Sequence, residues 1–335
     1  MVNHGFRGYI LMIVDFKKEI VSDRKGKNQS LLIWVKGALV LIMLAGFCLG
    51  DASAETGFQK VRFARADVDG DGVSEVVAGG RIGPAVSVDV PRAVRQAGFG
   101  VYQVSGKLLK PLAVREDLQS VQDVGAGDLD GDGKDEIITV GMGRLTVFGW
   151  RQDGLSEMSR VSLGGAWTDR VAVGDVDQDG RAEIAVTIYQ IEAEAEIGHT
   201  RVVIYRWQDA LVRGHDWITR MHVGDLAANA SGWVMEVGAG EEGGELMAVN
   251  KEGWPVWQHS VASGPRALSL DVIDQRLIVG RVDGVVHLYD LETSQPRLLN
   301  QSRVPFLAGL LFAPGHRGKT LMIGSYRAGI SWLEF

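Results

Sequence analysis

Along the chain, short runs rich in Val, Ile and Leu alternate with polar stretches that carry Gly and Asp. Short β-branched runs bounded by turn residues predict strands rather than long helices. The alternation repeats. Segments beginning at Asp67, Asp128 and Asp175 share one order: an apolar run, an Asp-x-Asp-x-Asp-Gly loop, then a second β-rich run. Two further strand-like runs follow, as Thr200–Trp207 and Ala210–Ile218 do in the third unit. Each unit therefore reads as four short strands with a polar loop between the first two. Later units keep the rhythm and lose the acids. Asp225 and Asp271 are expected to open their loops, with Ala227 standing where the second Asp would be. A last unit ends after three strand-like runs, finishing at Phe335.

The expected loop starts lie 61, 47, 50 and 46 residues apart. A period in the forties with four strands per unit predicts an all-β fold, a β-propeller of four-stranded antiparallel blades. Its length suits six blades, with seven as the alternative. The short last unit requires either a strand from the N-terminal side or a three-stranded blade.

Composition adds a direction to this picture. The chain has 335 residues, 44 of them Gly and 8 Pro, and a net charge of −7. An acidic surface argues against a nucleic-acid partner, because phosphate binding needs a basic one. Cys48 is the single cysteine, so no internal disulfide can form. It lies in the N-terminal segment, where seven Lys and Arg precede the apolar run Gly37–Leu49 and then Ala52-Ser53-Ala54. That order predicts a secretory signal peptide over residues 1–54, cleaved after Ala54. The alternative is an uncleaved membrane anchor beginning near Leu31, although Lys36 leaves the span short of the ~20 apolar residues a crossing helix needs. Either places residues 55–335 outside the cytoplasm, with membrane association only through that segment. The remaining part carries 28 Lys and Arg against 38 Asp and Glu.

The acids of the three loops carry the chemistry. Asp at loop positions 1, 3 and 5 can fold three carboxylates round one point, and Gly at position 6 allows the sharp turn. A helix–loop–helix calcium site would place its closing acid at position 12, but Ala78, Thr139 and Val186 stand there. Position 9 is Glu in every copy: Glu75, Glu136 and Glu183. Asp-Gly pairs also form turns without a metal. Three copies with four acids in register favour a cation, since gathered carboxylates repel one another.

These repeats resemble the FG-GAP/VCBS family, the blades of integrin α-subunit heads and many bacterial surface proteins. The likeness spans roughly residues 57–335, with the specific motif in three units. The family favours Asp at position 9, where this chain has Glu. The resemblance implies Ca²⁺ as the bound ion, held by Asp67, Asp69, Asp71 and Glu75; Asp128, Asp130, Asp132 and Glu136; and Asp175, Asp177, Asp179 and Glu183. The carbonyls of Val73, Lys134 and Arg181 would join them. Such calcium is expected to be structural.

Other signals are weaker. Residues 238–243 match G-x-G-x-x-G but read as a glycine-rich hairpin turn, because no helix pattern follows. The histidines show no metal-ligand spacing, and no G-x-S-x-G elbow is present. Most of the eight Trp beyond the N-terminal segment are expected in blade packing. Glu192–Glu196 reads as a solvated acidic loop, and the insertion Arg81–Gly98 as a candidate contact surface. The expected function is an exported binding or scaffold module for a protein or glycan ligand. The alternatives are a carbohydrate lyase or hydrolase using the central funnel, or a subunit of a surface assembly.

Overall fold

The computed structural model describes residues 58–82, 97–151, 154–164, 167–191, 198–219, 221–238, 244–261, 267–281, 283–291, 295–304, 307–314, 320–325 and 330–334. The N-terminal segment, most of the 81–98 insertion, the 192–196 acidic loop and residues 239–243 lie outside them.

Among the described residues the β-rich runs form six antiparallel sheets of consecutive strands. Blade one holds β1 (Phe58–Ala66), β2 (Glu75–Ile82), β3 (Ala97–Ser105) and β4 (Leu108–Leu118). Blade two holds β5 (Asp123–Gly127), β6 (Glu136–Gly141), β7 (Arg144–Arg151) and β8 (Gly154–Ser162). Blade three is β9 (Trp167–Gly174), β10 (Glu183–Ile191), β11 (Gly198–Trp207) and β12 (Leu211–Thr219). Blade four is β13 (His222–Asn229), β14 (Gly232–Gly238), β15 (Gly244–Asn250) and β16 (Pro255–Val261). Blade five is β17 (Ala267–Ile273), β18 (Arg276–Arg281), β19 (Val285–Asp290) and β20 (Arg297–Arg303). Blade six has three strands, β21 (Leu307–Phe312), β22 (Thr320–Ser325) and β23 (Ile330–Glu334). The first strand of each blade lies against the first strand of the next, and β21 returns to β1. The fold is a six-bladed β-propeller, as the repeat period predicts.

Burial follows from that stacking. A blade sandwiched between two others buries both faces of its second strand, so β6 and β14 are buried along their whole length. The outermost strands β12 and β20 face water along most of their length. The core divides into six apolar clusters, each spanning two adjacent blades. Leu129, Ile138 and Val140 of blade two meet Val171, Ile184 and Val186 of blade three. Closure has its own cluster, where Val61, Phe63 and Tyr102 meet Leu311, Met322 and Trp332. Trp233 and Trp332 lie in the core as expected, whereas Trp254 is 71% exposed.

Charged residues on the inner strands close the axis. Arg62 Nε lies 2.9 Å from Asp123 Oδ1, and its Nη2 lies 2.8 Å from Asp225 Oδ1 in blade four. Arg170 Nε reaches Asp225 at 3.0 Å. Each acid also accepts a backbone N–H of the following blade, Val171 to Asp123 and Leu270 to Asp225. Burial alone would lower the Arg62 pKa, but Asp123 and Asp225 outweigh it and hold the guanidinium charged.

Asp225 and Asp271 are therefore not loop openers. Both stand inside inner strands, Asp225 opposite Glu236 and Asp271 opposite Ile278. The hairpin that carries Asp225 turns later, at Ala230 and Ser231.

Candidate metal loops of blades one to three

Each acidic loop joins the first and second strands of its blade, and its acids organise its own backbone. In the first loop Asp67 accepts the N–H groups of Gly70 and Asp71 on Oδ1 and of Gly72 on Oδ2. The second repeats this with Asp128, Gly131 and Gly133. Such Asx contacts demand left-handed backbone, which glycine supplies at φ +78° and +82° in loop one and +80° and +83° in loop two. Loop three has Gln178 at the first of these positions, at φ +60°. Its Nε2 donates to Ala230 O in blade four.

The position-9 glutamates begin the second strands and are buried. Each turns one oxygen back to the residue after the loop's first Asp: Glu75 to Val68 N–H, Glu136 to Leu129 N–H and Glu183 to Val176 N–H. Carboxylate oxygens converge in each loop. Asp67, Asp69 and Asp71 come together in the first, Asp128, Asp130 and Glu136 in the second, and Asp175, Asp177 and Glu183 in the third, with one oxygen from each residue within 4.8 Å of the others. The position-5 acids Asp71, Asp132 and Asp179 each accept the N–H of the residue expected to give a carbonyl, Val73, Lys134 and Arg181.

This oxygen-only donor set suits a hard cation of the Ca²⁺ type. The electrostatics of the first two loops agree. Burial, foremost, and then the neighbouring aspartates push Glu75 above the ordinary carboxylate range and Glu136 up to about 7. Glu183 is pushed up by burial as well, but Arg206 opposes it. That opposition has a visible source. Arg206 Nη2 lies 2.5 Å from Asp177 Oδ2 and its Nε 3.3 Å from Glu183 Oε1. Among the described residues, no Lys or Arg pairs with the carboxylates of the first two loops.

The loops also lean on one another. Asp135 N–H donates to Asp67 O at 2.8 Å, and Asp67 N–H donates to Asp135 Oδ2 at 2.7 Å. Loop two is joined to loop three through Ala182 N–H and Asp128 O. Asp135, at loop position 8, and Arg206 escape a reading for ligand acids, because neither belongs to the repeated set. The axial charges leave a signal in the sequence. Arg62, Asp123 and Arg170 each stand five residues before the first Asp of their loop.

Residues 128–186, which contain the second and third loops, match the FG-GAP-like repeat family. A search by sequence finds no match among curated proteins. The fold is similar to many solved structures. A chain of the COPII outer coat vertex on membranes superposes with a TM-score of 0.52 at 12% identity, over 84% of this chain and 85% of that one. BBS1N in complex with ARL6DN gives a TM-score of 0.50 at 14% identity, over 83% and 93% of the two chains.

Proposed function

We propose that this chain is an exported β-propeller that presents a rigid surface to a protein or glycan ligand, with Ca²⁺ holding the loops of blades one and two. The observation that carries the metal reading is the convergence of carboxylates in those two loops, to which no Lys or Arg is ion-paired among the described residues. Asp67, Asp69, Asp71 and Glu75 would hold one ion, and Asp128, Asp130, Asp132 and Glu136 the other. A bound ion ties the end of an inner strand to the start of the second strand, so its role is structural. Export rests on the basic, then apolar, then Ala-x-Ala order of residues 1–54. A protein ligand is favoured over a glycan because the similar propellers include one in complex with ARL6DN and one in an assembled coat.

The axis offers little to the enzymatic alternative. Of the described acids on the inner strands, Asp123 and Asp225 are clamped by Arg62 and Arg170 and Asp271 by Arg65, which sets them poorly for acid–base work.

A thermal melt in millimolar calcium and again in excess chelator tests the metal reading. Calcium at 100 times its dissociation constant adds about 2.7 kcal/mol per site, so chelation should lower the midpoint by several degrees. Asp130→Ala should remove part of that difference. An unchanged midpoint would reduce the loops to turns and leave only the scaffold reading.

A further inference from the structure

We infer that Arg206 is the resident cation of the third loop and excludes calcium from it, so that the three acidic loops are two ion sites and one self-neutralised copy. This rests on the calcium reading above and concerns the loop that reading leaves aside.

The argument begins with register. In β11, Tyr205 pairs with Ile184, so Arg206 stands beside Glu183 at the mouth of the loop. The matching residue of blade one is Gln103, next to Tyr102, which pairs with Val76. In blade two it is Gly149, next to Phe148, which pairs with Ile137. Only blade three places a positive charge at this position. The guanidinium touches the position-3 and position-9 acids of its loop. These are two of the three residues whose oxygens converge there; Glu183 is buried and Asp177 largely so. It thus supplies positive charge and donors where an ion would sit, and a cation binding there must first displace it.

The position-3 carboxylates differ in what they hold. Asp69 and Asp130 accept the N–H of Asp71 and Asp132, two residues on. In the third loop Asp179 N–H donates to Asp175, as Asp71 N–H does to Asp67, and the Asp177 carboxylate is drawn to Arg206. Asp177 Oδ1 stays buried without a hydrogen-bond partner. One guanidinium leaves that oxygen unanswered, so the cluster still has the donors of an ion site once the arginine is gone. Access would not prevent binding, since Asp177 and Arg206 border a cavity of about 460 Å³ between blades three and four.

Isothermal titration calorimetry with CaCl₂ on the purified chain tests this. The wild type should bind two ions, Arg206→Gln three and Arg206→Lys two. Asp177→Asn added to Arg206→Gln should return the count to two. In chelator, Arg206→Gln should melt below the wild type, and calcium should restore it. Three ions in the wild type, or no gain in Arg206→Gln, overturns the inference. Should Arg206→Gln not fold, the wild type decides. Asp177→Asn alone must leave two ions and Asp130→Asn must leave one, and a loss on Asp177→Asn overturns it. The two readings fail separately. No ions in the wild type and one in Arg206→Gln sinks calcium in loops one and two and sustains the role of Arg206; none in either sinks both.

Discussion

Arg65, near the end of the first inner strand, grips Asp271 of the fifth blade with two bonds, Nη1 to Oδ2 at 2.9 Å and Nη2 to Oδ1 at 3.0 Å. The same guanidinium donates to the carbonyls of Val272 and Phe312, and Asp271 accepts Phe312 N–H. One side chain thereby links the first blade to the two that complete the ring. Burial, foremost, raises the Asp271 pKa, and Arg65 opposes it. Arg65→Ala would leave that carboxylate buried without its partner. We expect a loss of about 2–4 kcal/mol, read as a lower urea midpoint. Asp271→Asn in the same background should recover part of it, and strictly additive losses would show that the two residues are not coupled.

Arg62 should matter more. It is buried and bonded to both Asp123 and Asp225. Arg62→Met keeps much of the volume, strands Asp123 and leaves Asp225 to Arg170 alone, at an expected cost of about 3–5 kcal/mol. Replacing Arg62 and Asp123 together by apolar residues should cost less than Arg62→Met alone. The check is equilibrium denaturation of the three variants in one buffer.

Glycine at the seam gives a steric prediction. A Cβ on Gly309 would lie 2.4 Å from Val61 O and 3.2 Å from Arg62 Cα, both backbone atoms that cannot turn aside. Gly309→Ala should therefore push β21 off β1 and cost roughly 1–3 kcal/mol. Gly214→Ala is the control, because its nearest neighbour would be 3.4 Å away. A comparable drop in melting temperature for both would point to glycine composition rather than the seam.

In chelator, stability should depend on pH through Glu136. Its ordinary value of 4.5 is raised to about 7 in the folded chain. Between those values the folded state holds a proton that the unfolded chain has released. The stabilisation is complete below pH 4.5 and is lost as pH rises through about 7, on the order of 2–3 kcal/mol in all once solvent screening at the loop is allowed for. Glu136→Gln should flatten this part of the melting-temperature profile. Calcium should reverse the trend, because it binds the ionised carboxylate. A wild-type profile in chelator that matches Glu136→Gln from pH 5 to 8 would refute the assignment.

The three acid-bearing loops, the four-strand units and the short last blade could all be read from the sequence, because turn chemistry and strand alternation are local. Asp225 and Asp271 could not be placed that way. An Asp that follows an apolar run looks the same whether it begins a turn or points along an axis, and the axis exists only once β21 meets β1. Arg206 was hidden for a related reason. Its partners Asp177 and Glu183 lie more than twenty residues earlier, and only the pairing of β10 with β11 brings them together.

Every described blade is built from consecutive strands, so none is completed by a strand borrowed from the other end of the chain. At the junction of the sixth blade with the first, side chains carry the attachment rather than a shared ladder of backbone hydrogen bonds. Tension applied between Phe58 and Glu334 would load apolar contacts and a few guanidinium grips, and these should yield before any sheet unravels. Such a ring would open like a clasp, with its blades intact, and could close again without rebuilding any of them.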